Sequence, residues 1–127
     1  LEKTATRKDV SVAGVGATEM ALDIGPKSVA EMLDILSTAK TVIWNGTLGY
    51  SNVPAFASAS ASLARLLAGN PEVTSIIGGG DTADFAIHWD EKRGASFTHV
   101  STGGGASLEL MSGAKLPGIE ALIDARR

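Results

Sequence analysis

Short apolar runs alternate along this chain with segments whose apolar residues recur at helical spacing. Four runs, at residues 20–24, 41–44, 75–77 and 97–100, read as strands. Between the first two, Val29, Met32, Leu33 and Leu36 share one helical face. Gly25-Pro26 stops the first run, Ser28 and Glu31 have capping-box spacing, and Lys40 suits the helix's negative end. Phe56, Leu63, Leu66 and Leu67, with Ala59 between, give a second helix an apolar stripe; Pro54 fits its first turn and Gly69-Asn70-Pro71 its end. A third helix opens at Asp81 and places Phe85 and Trp89 at helical spacing, after which residues 90–96 form a polar loop expected to be solvated. Residues 106–111 read as a fourth helix, and Ile119, Leu122 and Ile123 as anchors of a short fifth before a solvated Arg126-Arg127 end. Residues 1–18 are weakly patterned, with Gly14 and Gly16 breaking a hint of extended chain at Val10, Val12 and Val15.

Strand and helix in strict alternation, with short continuous apolar strands, argue for an α/β fold: an open parallel sheet of about four strands with right-handed crossover helices, Rossmann-like and three-layered. Residues 1–19 read as a connector and 20–127 as the sheet domain.

Composition narrows the function. The chain of 127 residues is long enough for one core. Its net charge of −3 gives no footprint for nucleic acid. Without cysteine there is no disulfide framework and no thiolate metal site. No apolar run approaches membrane-spanning length, and the first residues do not form a signal peptide, so a cytoplasmic protein without membrane association is expected. The chain opens on Leu1 rather than Met, as a piece of something longer would.

The chemistry gathers at the strand ends. All four predicted strands end in a glycine-bearing turn, and in a parallel sheet these ends lie along the edge where open α/β folds bind ligands. The stretch 74–86 is the most informative: an apolar run, then Gly78, Gly79 and Gly80, then Asp81 and Thr82 at a helix start. Glycines let backbone approach a ligand and the first helical N–H groups point at it, which makes an anion site. Asp81 puts a negative charge where phosphate would sit, which makes sense with a divalent cation between them. The alternative is a tight turn with Asp81 as a cap. A second triple, Gly103-Gly104-Gly105, follows the next strand, and two such bends on neighbouring strands exceed what turn sterics need. Gly78, Gly80 and Ala83 fit a dinucleotide fingerprint, but the following strand ends in Val100-Ser101-Thr102 without the acid that binds ribose. Neither a phosphate-binding loop ending in Gly-Lys-Ser/Thr nor a nucleophile elbow is present. His88 reads as packing or surface, His99 as a hydrogen-bonded core residue, Trp44 as core, and Met20, Met32 and Met111 as core fillers. Asp23 could face the rim or cap the helix that follows it.

Four motifs in order then resemble the C-terminal part of phosphoglycerate kinase: Asp-Ile-Gly-Pro-Lys at 23–27, Trp-Asn-Gly at 44–46, Gly-Gly-Gly-Asp-Thr at 78–82 and Ser-Thr-Gly-Gly-Gly-Ala-Ser-Leu-Glu at 101–109, with Leu116-Pro117-Gly118 matching the family's ending. The resemblance covers about residues 20–122 and implies that residues 20–127 are the C-terminal portion of a nucleotide-binding domain, the sheet being part of a larger domain. It implies an enzyme that transfers a phosphoryl group between 1,3-bisphosphoglycerate and ADP, giving 3-phosphoglycerate and ATP, in glycolysis, with one domain for the magnesium nucleotide and another for the phosphoglycerate. It implies Asp81 as the Mg2+ ligand, Thr82 on a nucleotide phosphate, Gly78, Gly79 and Gly80 lining that site, and Asn45 and Gly46 beside it. Gly103, Gly104 and Gly105 would offer N–H groups to the phosphoryl group in flight. Two positions depart from the family: Thr47 replaces a proline, and Asn52 stands where a glutamate usually meets the ribose hydroxyls. The family is usually monomeric. Its N-terminal domain, with the phosphoglycerate site, and the lysines on earlier strands have no counterpart in this chain, so the expectation is a nucleotide-binding piece inactive alone. The alternatives are a non-catalytic nucleotide- or phosphate-binding module, a half-domain completed by a partner's strands, and, least favoured, a dinucleotide oxidoreductase.

Overall fold

The computed structural model describes residues 6–125. Their elements run α1 (Pro26–Ser37), β1 (Thr41–Asn45), α2 (Ser58–Ala68), β2 (Thr74–Gly78), α3 (Gly80–Trp89), β3 (His99–Ser101), α4 (Gly104–Met111) and α5 (Pro117–Asp124), with single 3-10 turns at Val12–Gly14 and Pro54–Phe56. The strands form one parallel sheet in the order β1-β2-β3, each joined to the next by a helix. The expected α/β parallel architecture is therefore present, with three strands among the described residues rather than about four.

The missing strand is the run at 20–24. It joins no ladder, and Met20 is 74% exposed rather than a core filler. Its backbone is committed elsewhere: the Tyr50 N–H donates to the Leu22 carbonyl at 2.7 Å, tying the segment to the loop after β1. Helix α1 starts two residues before the expected cap. Gly25 is its N-cap, Pro26 is pre-set for the first helical position, and Ser28 lies inside the helix instead of capping it.

The register fixes which side chains share a face. Val42, Trp44, Ser75 and Ile77 project to one side, where Leu63, Ala64 and Leu67 of α2, Ala86 of α3, and Val73 and Phe97 complete the core. Met32 and Leu36 of α1 and Phe85 and Trp89 of α3 pack around it, and Phe85 meets Trp44 edge to face at 5.9 Å. On the other side Ile43, Ile76 and His99 stand in one row. Ile43 is 48% exposed and His99 is exposed, so His99 is no core residue. The strands alternate because that second face has little cover among the described residues. Met111 of α4 is exposed rather than a core filler, and Ile119, Leu122 and Ile123 are exposed, Leu122 at 71%, and do not anchor α5 as expected.

The loop at 90–96 also departs from expectation. Asp90 is buried and organises it: its carboxylate accepts the N–H groups of Lys92, Gly94 and Ser96 and the Ser96 hydroxyl, all at 3.0–3.1 Å. Burial pushes its pKa up, and the bonds from Ser96, Lys92 and Gly94 outweigh this and hold it below the ordinary aspartate value. The Arg126-Arg127 end, expected to be solvated, lies outside the described residues, as do the first five residues of the predicted connector.

Candidate functional site

The three strands end level with one another. Asn45 pairs with Gly78 and Gly78 with Ser101, so the turns that follow open along a single edge of the sheet. Gly79, with φ 95°, makes the sharp turn from β2 into α3; a Cβ there would lie 2.7 Å from the Asn45 side-chain oxygen. A Cβ at Gly104 would lie 2.4 Å from the Cα and N of Gly79. The two triple-glycine bends are thus in van der Waals contact, backbone against backbone, and only glycine permits that approach.

Side chains lock the bends together. The Asn45 amide donates to the Gly104 carbonyl at 3.3 Å. The Gly46 N–H donates to the Thr82 hydroxyl at 2.8 Å, and the Trp44 indole donates to the Gly46 carbonyl at 2.7 Å. Thr82 is 1% exposed, so its hydroxyl ties the loop after β1 to the start of α3 from below. On the β3 side the Gly103 N–H donates to the Ser101 hydroxyl, and the Ser107 hydroxyl donates to the Gly103 carbonyl.

Above this framework lie two helix starts. The first intrahelical bond of α3 is Ala83 N–H to Gly79 carbonyl, and that of α4 is Ser107 N–H to Gly103 carbonyl, both at 2.8 Å. The N–H groups of Gly80 and Asp81, and of Gly104, Gly105 and Ala106, precede these bonds. Both helices therefore turn their positive ends to the same edge. Asp81 stands in the first turn of α3, exposed, and makes no ion pair among the described residues.

Gly80 and Gly105 differ from the other bend glycines. A Cβ at either would meet nothing within 4 Å, and neither has positive φ. No contact among the described residues requires glycine there, and both are exposed. The structure thus brings together Asn45, Gly46, Gly78, Gly79, Gly80, Asp81, Thr82, Gly103, Gly104 and Gly105. Asn52 stands apart, exposed in the turn between β1 and α2.

Asp23 does not cap α1, one of the two roles the sequence offered it. It accepts the Ser58 hydroxyl at 2.9 Å and the Ala59 N–H at 3.3 Å, at the start of α2. The acid's burial next to a glycine-rich loop is a tertiary fact, and local spacing carries no sign of it. His88 is on the surface, its Nδ1 2.8 Å from the Asp84 carbonyl oxygen. No helix among the described residues is long and apolar enough to cross a membrane.

Comparison with known proteins agrees with this geometry. The sequence profile of the phosphoglycerate kinase family matches residues 1–114. A phosphoglycerate kinase of Koribacter versatilis is 48% identical over 108 residues, covering 85% of this chain and 26% of the relative. One from Schistosoma mansoni is 46% identical over 114 residues, covering 88% of this chain and 27% of the relative. The solved phosphoglycerate kinase of Coxiella burnetii superposes with a TM-score of 0.82 at 32% identity, over 94% of this chain and 30% of that structure. The chain spans little more than a quarter of the length of the curated relatives it matches. With contiguous glycine bends, an exposed acid at a helix start and a sequence match along nearly all its length, the chain belongs to the phosphoglycerate kinase family.

Proposed function

We propose that the edge formed by the two glycine bends binds the polyphosphate of a magnesium nucleotide, ADP or ATP, and is the nucleotide half of a phosphoglycerate kinase site. The observation that carries this is the open glycine at Gly80 and Gly105, where fold sterics place no demand and a ligand would. Free N–H groups of two helix starts then converge on one negatively charged group.

Asp81 fits the metal this chemistry uses. Magnesium is commonly held by one or two carboxylates together with substrate phosphates, and among the described residues no cluster of three metal-binding side chains exists to form a closed cage. A single exposed carboxylate suits a cation that arrives with the nucleotide and neutralises phosphate charge. Gly79, Gly80 and Asp81 offer N–H groups at the nucleotide phosphates. Thr82, buried, accepts the Gly46 N–H and holds that loop in place, and its backbone N–H, in the first turn of α3, is the group offered to a nucleotide phosphate. Asn45 holds the second bend against the first. Gly104 and Gly105 present N–H groups to the transferring phosphoryl group, and Gly103, whose N–H is held by the Ser101 hydroxyl, shapes the bend that aims them; the transfer needs positioning and charge stabilisation rather than a covalent step. Asn52 serves the ribose as a neutral hydrogen-bonding group.

The reaction is the glycolytic exchange between 1,3-bisphosphoglycerate and ADP. This chain supplies only its nucleotide side and does not turn over by itself, as a member spanning about a quarter of its relatives would not. Titration calorimetry of the full chain with ADP tests the first part. We expect binding in the presence of Mg2+ that weakens by about tenfold or more with EDTA or in Asp81→Asn, the loss of one charged contact. Absence of binding, or binding indifferent to both, contradicts the proposal. ATP formation in a coupled assay from this chain alone contradicts the second part.

A further inference from the structure

We propose that Asp23, held by Arg7, is a positioning residue that sets the loop of residues 46–52 and thereby the nucleoside end of the site. The inference rests on the nucleotide reading above for its binding consequence, while its structural core does not.

The Asp23 side chain is 3% exposed. One oxygen accepts from Arg7 at 3.3 Å, from the Ser58 hydroxyl and from the Ala59 N–H. The other accepts the Ile24 N–H at 2.9 Å and lies 2.5 Å from where a Cβ on Gly49 would stand. Gly49 has φ 76°, so the loop presses its bare α-carbon onto this carboxylate. Arg7 reaches in from the N-terminal segment and also donates to the Ile24 and Ala55 carbonyls and the Ser58 hydroxyl. One ion pair therefore joins the segment before α1, the start of α2 and the underside of the loop.

The loop has few other supports. Thr82 and Trp44 fix Gly46, the Ser60 hydroxyl bonds both backbone groups of Leu48, and the Leu22 carbonyl accepts the Tyr50 N–H. Leu22 is the neighbour of Asp23, so a shift of Asp23 moves both the Gly49 seat and the Tyr50 anchor. The glycine bends, fixed by Asn45 and Thr82, are held without it. The chemistry thus separates: Asp23 governs the loop that meets the nucleoside, and the bends govern the phosphates.

Amide hydrogen exchange on the ligand-free full chain tests the positioning directly. In Asp23→Asn, which keeps shape but loses the charge facing Arg7, exchange at Tyr50 should rise about tenfold, with rises confined to residues 46–52 and the first turn of α2. Arg7→Lys should shift the same amides in the same direction by less, and decides the matter if the Asp23 variant fails to fold. Unchanged exchange at these residues, or an equal rise through β1 and β2, overturns the proposal. In calorimetry with Mg2+, Asp23→Asn should weaken ADP about tenfold and inorganic tripolyphosphate by no more than about twofold. Equal weakening of both overturns the link to the nucleoside. Should the unmodified chain bind neither probe, the nucleotide reading fails, and the exchange pattern still decides whether Asp23 sets the loop.

Discussion

Gly80 and Gly105 are where the fold leaves room for a side chain and the proposed ligand would not, and that makes them informative single positions. An added methyl at either meets open space, and alanine loses less backbone freedom on folding than glycine. Gly80→Ala and Gly105→Ala should therefore keep or raise stability, by up to about 1 kcal/mol, while weakening magnesium–ADP binding. Thermal unfolding beside calorimetry would show it; stability and affinity falling together would assign both glycines to packing. Gly104→Ala should behave in the opposite way. Its methyl would meet Gly79 backbone 2.4 Å away, so the bends must part and both stability and binding should drop. Asp90 gives a pH signature. Its folded pKa lies below its ordinary value, so its contribution to stability is complete above the unfolded aspartate value of about 4 and is lost as pH falls through the lower folded value. Asp90→Ala should lower the melting temperature at neutral pH and flatten its fall with acid; an unchanged acid profile would show that Asp90 does not bear this load.

The regular elements were legible where local chemistry decides them. β1 and β2 stand out as β-branched runs between turn signals, and α2 buries Ala59, Leu63 and Leu67 of its predicted stripe, because helical spacing brings them to one face. The bends were legible too, since glycine triples after strands have few other uses. The segment at 20–24 was not, because an apolar run has no way to show that its backbone partner is a loop 28 residues on rather than a strand. Asp90 was missed for a related reason: a polar loop with a buried aspartate at its centre has the composition of a solvated one. Helix α1 offers a direct check on capping. Its N-cap is Gly25, with extended φ and ψ and free space at its α-carbon. Gly25→Ser should stabilise the chain by roughly 0.5–1 kcal/mol, from an added cap bond and reduced freedom of the unfolded chain. No gain on denaturant unfolding would mean that this helix start is satisfied in another way.

Across the sheet the two faces carry unequal weight. Ile77 lies in the core and Ile43 on the open side, so Ile77→Ala should cost about 2–5 kcal/mol and Ile43→Ala less than about 1 kcal/mol. Similar costs would mean that the open side is covered in solution. The edge proposed to bind nucleotide is formed, among the described residues, at the ends of β1, β2 and β3. That edge is what makes the chain chemically interpretable, and the central claim of the proposed function is that its two separate bends act on one polyphosphate. Heteronuclear NMR of the full chain titrated with ADP and Mg2+ observes this directly. The amides of Gly79, Gly80 and Asp81 and those of Gly103, Gly104 and Gly105 should shift together, with one saturation curve. Shifts confined to one bend, or absent from both, would contradict a shared phosphate site.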